Sequence, residues 1–206
     1  MAFSNFTLAS AVAEFGLTLS TSEPLFTGVP SVELGPTFRY TLEHYGPLAL
    51  KINTEKSRSE WLIAPLLGEL WVRADRTIYL LSGVDFSVDP QLGLSGVVDF
   101  LVGKGPQVSY VASAPVLAVV EAKNESIPGG QGQCAAEMVA SQRFNERSKS
   151  STDAVFGAVT TGNNWLFHRL IGSTLAIDTR EYQISEADKI LGILLHIVGR
   201  NPAVAS

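Results

Sequence analysis

The stretch Ala114-Pro115-Val116-Leu117-Ala118-Val119-Val120 runs directly into Glu121-Ala122-Lys123, and it constrains the fold more than any other segment of the chain. The apolar run reads as a buried β-strand. An acid and a lysine two residues apart at its end share one face of that strand, about 6.6 Å apart along it. Charges in such a place are costly unless they are paired or bound to a metal ion. Two readings follow. The pair is either a solvated strand end with a salt bridge, or part of a site for a hard cation such as Mg²⁺, which takes carboxylate oxygens and keeps waters.

Further elements surround this strand. Gly96 to Val102, containing the isolated Asp99, reads as the preceding strand, and Gly103-Lys104-Gly105-Pro106 as a turn. Val108 to Val111 is a candidate extension of the ladder. Ser126-Ile127-Pro128-Gly129-Gly130 reads as a loop, followed by a helix from Gln131 to about Asn145. Ala154 to Thr160 is a short apolar strand, so strand, helix and strand form a right-handed parallel crossover. Upstream, Phe6 to Phe15 suits a short helix, and a second runs from Gly35 to about Tyr45, ended by Gly46-Pro47. A stronger helix opens at Asn53-Thr54-Glu55-Lys56, with a kink or break at Pro65. Ile78 to Ser82 and Val84 to Val88 look extended. Trp165 to Leu170 and Thr174 to Ile177 form a hairpin. Ser185 to Asp188 is a capping box for a last, buried helix from Lys189 to Gly199. The fold class predicted is α/β: a mixed central sheet with helices on both faces.

A chain of 206 residues suits one domain. Charged residues are 17%, low for a globular protein, and the net charge of −5 disfavours a general nucleic-acid binder, so local charge must carry any phosphate contact. One cysteine, Cys134, rules out an internal disulfide. No basic leader opens the sequence, and Ile190 to Val198 is too short to span a bilayer, so a cytoplasmic protein is expected. The three histidines have no metal-ligand spacing, and His196 and Cys134 read as core residues.

If the strands carrying Asp99 and Glu121 pair in antiparallel fashion, their carboxylates converge at one end of the sheet. With the main-chain carbonyl of Ala122 they can hold a divalent ion, and Lys123 faces the same cavity, able to orient a water or neutralise a phosphate. This order of an Asp, a Glu-x-Lys and a Gln-bearing helix resembles the PD-(D/E)XK nuclease superfamily. The resemblance covers about 55–160, with the N-terminal helices as an extension and the C-terminal hairpin and helix as decoration. Val98 stands where the name-giving Pro would precede Asp99. Gly162-Asn163-Asn164-Trp165 is similar to a stretch in small cyanobacterial members.

The resemblance implies a restriction endonuclease-like sheet and a Mg²⁺- or Mn²⁺-dependent nuclease acting on DNA. It implies metal binding by Asp99 and Glu121 with Ala122, and a water or phosphate oriented by Lys123. An early-helix acid, Glu60, is a further ligand through water. Gln133 orients a site group, with Gln131 beside it. Each residue also has a structural reading: Glu60 as a helix-surface acid, Asp99 as an acid held by main-chain donors, Gln133 as a residue that caps or hydrogen-bonds within its own helix, Gln131 as a polar residue of the helix start. Two basic clusters, Arg143, Arg147 and Lys149, and Lys51, Lys56 and Arg58, are candidates for a DNA-facing rim or for solvated helix ends. A homodimer would double such a rim. The alternative function is a non-catalytic nucleic-acid-binding or protein-interaction domain that keeps the fold.

Overall fold

The computed structural model describes residues 2–107, 110–124, 126–150 and 152–200. Its centre is an 8-stranded mixed sheet. In chain order the strands are β1 Thr18–Ser20, β2 Ile78–Asp85, β3 Val97–Lys104, β4 Val116–Ala122, β5 Val155–Thr160, β6 Asn164–Ile171, β7 Thr174–Ile177 and β8 Tyr182–Gln183. Across the sheet they lie in the order β1-β7-β6-β5-β4-β3-β2, with β8 paired to β6. β4 and β5 are parallel, as are β1 and β7; the other pairs are antiparallel.

The helices are α1 Leu8–Phe15, α2 Pro36–Ile52, α3 Glu55–Arg58, α4 Ala64–Arg73, α5 Ile127–Arg147 and α6 Ala187–Ile197. Strand alternation sends Phe100, Val102, Ala118 and Val120 into one apolar layer with α2, α4 and α6. Leu101, Val116 and Val119 enter the other layer, under α1 and α5. The mixed sheet flanked by helices on both faces therefore agrees with the pattern read from the sequence, as does the β4–α5–β5 crossover. No helix among the described residues is long and apolar enough to cross a membrane.

Several boundaries differ from expectation. α5 begins at Ile127 rather than Gln131, absorbing Pro128-Gly129-Gly130, which reads as loop in the sequence. Pro128 sits in the first turn, where its missing N–H costs nothing. The glycines serve as contact points. A Cβ on Gly132 would lie 2.3 Å from the Phe6 carbonyl oxygen, and one on Gly130 would lie 2.6 Å from Val159 Cγ1 and 2.9 Å from Lys123 Cγ. Gly103 likewise lies within β3 rather than in a turn, because the Tyr79 ring occupies the space of its absent side chain.

α2 runs on through Pro47 to Ile52. Gly46 and Ala49 are buried on its inner face, with the position of a Gly46 Cβ 3.5 Å from Leu62, while Glu43, whose carbonyl loses its helical donor to Pro47, is exposed to water. The break expected at Pro65 is a π-helical turn over Ser59–Ile63, joining α3 to α4. β2 is one strand, and β1, an edge strand, is not anticipated by the sequence pattern. The final helix opens through a 3₁₀ turn whose capping box is Gln183 with Glu186, not Ser185 with Asp188. The strand proposed at Val108 falls partly outside the described residues, and Tyr110 and Val111 lie in a non-strand segment.

Candidate functional site

Asp99 and Glu121 meet across the β3–β4 ladder. The register pairs Phe100 with Val120. Asp99 and Glu121 are the next residues beyond that pair, close enough for the charge of Asp99 to act on Glu121. Both side chains fall on the α5 face, by the alternation that sends Leu101 and Val119 there. Asp99 is half-buried, and its Oδ2 accepts the Ala122 N–H at 2.7 Å. That bond ties the aspartate to the main chain between Glu121 and Lys123.

Lys123 follows directly after β4, held by its N–H to the Thr160 carbonyl at 2.8 Å. Its ammonium pairs with Glu121 Oε1 and donates to Gln133 Oε1 at 3.2 Å. Gln133 Nε2 in turn donates to Glu137 Oε1 at 3.0 Å. Gln133 and Glu137 are four apart, on one face of α5. The glycine at 130, one turn before Gln133, leaves the space in which the Lys123 stem lies. A chain of polar contacts therefore links Lys123 through Gln133 to Glu137, and Glu121 closes it from the sheet side.

Glu137 is the residue the sequence reading missed. It is fully buried, and Glu121 is 1% exposed. Oε2 of each has no donor within the described protein. The two acids lie within hydrogen-bonding reach, so a proton on one supplies the donor the other lacks. Burial raises the Glu121 pKa to about 7, with the Asp99 charge adding to it and the Lys123 hydrogen bond and charge opposing. Burial, then the charge of Glu121, pushes Glu137 well above the ordinary carboxylate range. For Lys123, burial pulls the pKa down, but the bond to Glu121 and the charges of Glu121, Asp99 and Glu55 outweigh it and raise it. A signal for Glu137 existed: an acid enclosed by Cys134-Ala135-Ala136 and Met138, one helical turn after Gln133.

Glu60 stands apart from this chain of contacts. It lies in the π-helical turn, its side chain is 54% exposed, and it pairs with Lys56 at 2.9 Å. Glu55, at the first position of α3, is instead the early-helix acid whose charge reaches Lys123. α3 is fixed there by Arg58, whose Nη1 donates to the carbonyls of Asn124 at 2.8 Å and Thr161 at 3.2 Å. Gln131 is partly buried in the first turns of α5. Among the described residues no group of three or more His, Cys, Asp or Glu side chains is arranged to hold a metal ion.

The expected basic rim is partly paired. Arg143 and Arg147 both reach Asp89 Oδ2, at 3.4 and 3.2 Å, and Lys56 is paired with Glu60. Lys51 and Lys149 are exposed. A cleft of about 750 Å³, lined by Asn124 and Thr161 but not by Lys123, opens at the carboxyl ends of the parallel strands β4 and β5, where open α/β sheets commonly bind ligands. No family model matches the chain, and a search of curated proteins finds no significant relative.

Proposed function

We propose that the protein is a metal-dependent nuclease of restriction endonuclease-like fold that hydrolyses DNA phosphodiester bonds at the Asp99–Glu121–Lys123 cluster. The observation that carries this reading is the convergence of those side chains with Gln133, from two adjacent strands and one helix, around buried carboxylate oxygens that lack donors. Two carboxylates suit a Mg²⁺ or Mn²⁺ ion that keeps several waters and takes its remaining ligand from the substrate phosphate. Such an ion supplies Lewis acidity and a water of lowered pKa.

The residues of the chain do the rest. Asp99, fixed by the Ala122 N–H, and Glu121 set the cation-binding edge, with the Ala122 carbonyl beside it. Lys123 positions the attacking water or a non-bridging phosphate oxygen, and offsets negative charge that grows in the transition state. Gln133 holds the ammonium in place from the α5 side, with Glu137 behind it. Glu60 joins only as an outer acid reached through water, and Glu55 has the stronger claim to that role.

Asp99→Ala and Lys123→Ala are each expected to lose Mg²⁺-dependent cleavage of DNA, by about a hundredfold or more for the lysine, with circular dichroism unchanged. Undiminished cleavage by both variants would refute the assignment. That no group of three metal-ligating side chains is arranged to hold an ion among the described residues favours the second reading, a nucleic-acid-binding domain without turnover. Metal-independent DNA binding with no product on any substrate would favour it.

A further inference from the structure

The cleft at Asn124, the residue after Lys123, has an unusual lining. Its walls are Asn53 at the end of α2, Asn124 just past β4, and Asn163 and Asn164 at the β5–β6 turn. An amide carries both a donor and an acceptor; here the oxygen of Asn53 already accepts from Arg58. Asn163 Nδ2 donates to Asn164 Oδ1 at 2.6 Å, and Asn164 Nδ2 donates to Glu181 Oε2 at 3.2 Å. That chain orders the far wall. Its arrangement uses the donor of Asn163 and leaves that amide's oxygen without a donor among the described residues. The side chain of Asn124 makes no hydrogen bond within the described protein, and that residue is exposed. Ile127 and Pro128 add an apolar shelf. The turn carrying Asn163 is fixed by Thr160, fully buried, whose Oγ1 donates to the Asn164 carbonyl at 2.8 Å and accepts the Gly162 N–H at 2.9 Å.

We propose that this cleft seats an unpaired nucleobase of single-stranded DNA while the adjoining backbone passes Lys123; the inference rests on the nuclease reading of the neighbouring cluster. The volume falls in the range of small-molecule pockets. Amides on a concave wall match the hydrogen-bonding edge of a base, and that edge is free only when the base is unpaired. The apolar shelf gives the base a face to lie against. Charge argues the same way. Duplex recognition draws on many phosphate contacts. This chain has a net charge of −5, and Arg143 and Arg147 are spent on Asp89. Arg58, in the cleft wall, has no carboxylate partner among the described residues, although its guanidinium also holds Asn124, Thr161 and Asn53, and Lys123 is shared with Glu121; together they serve about two phosphates at most, enough for a short single strand but not for a duplex track.

The test is fluorescence anisotropy of the full chain, in EDTA so that no turnover occurs, with an end-labelled oligonucleotide offered single-stranded or as its blunt duplex. The single strand is expected to bind at least about tenfold more tightly. Its log affinity should fall against log salt with a slope of about −1.4, for two phosphates on a single strand. Asn124→Ala combined with Asn163→Ala should weaken binding by about tenfold. It should leave the salt slope and the thermal midpoint unchanged. Asn124→Ala alone, which removes no internal bond, guards against a folding defect in the double variant.

Equal or tighter duplex binding, a slope of −4 or steeper, wild-type affinity of the variants, or no binding of either oligonucleotide would overturn the proposal. Mg²⁺-dependent cleavage of a blunt duplex at the same rate as a single strand would overturn it while leaving the nuclease reading standing. Asparagine-dependent single-strand binding with no cleavage would do the reverse.

Discussion

Replacing Glu121 with Gln isolates the electrostatic strain built into the candidate site. The folded acid titrates at about 7 against 4.5 for an unperturbed side chain, chiefly through burial and then through the charge of Asp99. Between those values the folded protein retains a proton that the unfolded chain has released. The stability tied to that proton is fully present below pH 4.5, declines as pH rises, and is lost above about 7. The interval corresponds to about 3 kcal/mol, a substantial share of the stability of an ordinary domain. A Gln at this position cannot titrate. Lys123, whose pKa is raised from 10.5, stays charged throughout the window, and its attraction for the ionised Glu121 is already contained in the value of about 7, so the slope difference reports the titration of Glu121. Burial of Glu137 tilts both curves the same way, and the part of its upward shift that the Glu121 charge supplies is present only in wild type, where it adds to the same fall with rising pH. The expected result is therefore a difference in slope. Urea denaturation at half-unit steps from pH 4.5 to 8 should show wild-type stability falling relative to Glu121→Gln by about 3 kcal/mol. A difference that stays flat or grows in favour of wild type with rising pH would mean that Glu121 ionises at its ordinary value. The account of a strained, cation-seeking carboxylate would then fail.

Gly132→Ala should destabilise the protein by about 1–3 kcal/mol despite alanine's better helix propensity, because its Cβ would meet the backbone of Phe6 and Thr7 at 2.3 Å; an unchanged thermal midpoint by circular dichroism would refute the close approach. Asp89→Ala should release Arg143 and Arg147, strengthening DNA binding in anisotropy and steepening the salt slope by about 0.7 for each phosphate newly contacted on a single strand; an unaltered slope would show that the aspartate does not mask them.

The parts of the site legible in the sequence are those where charge interrupts an apolar pattern. Asp99 and Glu121 stand out because their neighbours Val98, Phe100, Val119 and Val120 are buried; that the two share a face follows only once the antiparallel β3–β4 register, which pairs Phe100 with Val120, is known. The i,i+4 relation of Gln133 and Glu137 is equally local. Glu137 escapes notice only because a glutamate on a helix is ordinarily solvated. The basic clusters mislead for the converse reason. Their arginines look free in sequence, but the Asp89 that both share lies more than fifty positions away, at 54 residues from Arg143 and 58 from Arg147.

Glycine and proline mark the limit of local reading. Pro128-Gly129-Gly130 is turn chemistry by composition, and Pro47 is a helix terminator. Which role a glycine plays depends on what approaches it. At 130 the neighbour is Lys123, and at 132 it is the backbone that leads into α1. At 103 it is the ring of Tyr79, on the adjacent strand. The same close packing that hides the start of α5 from the sequence also builds the site. If α5 began at Gln131, Gln133 would sit in the first turn, where its side chain competes for the free N–H groups of the helix start. Beginning at Ile127 puts Gln133 in the second turn, facing the sheet, with a glycine one turn earlier that makes room for the lysine it holds. The boundary that composition obscures is the one that determines whether Lys123 has a partner on the helix.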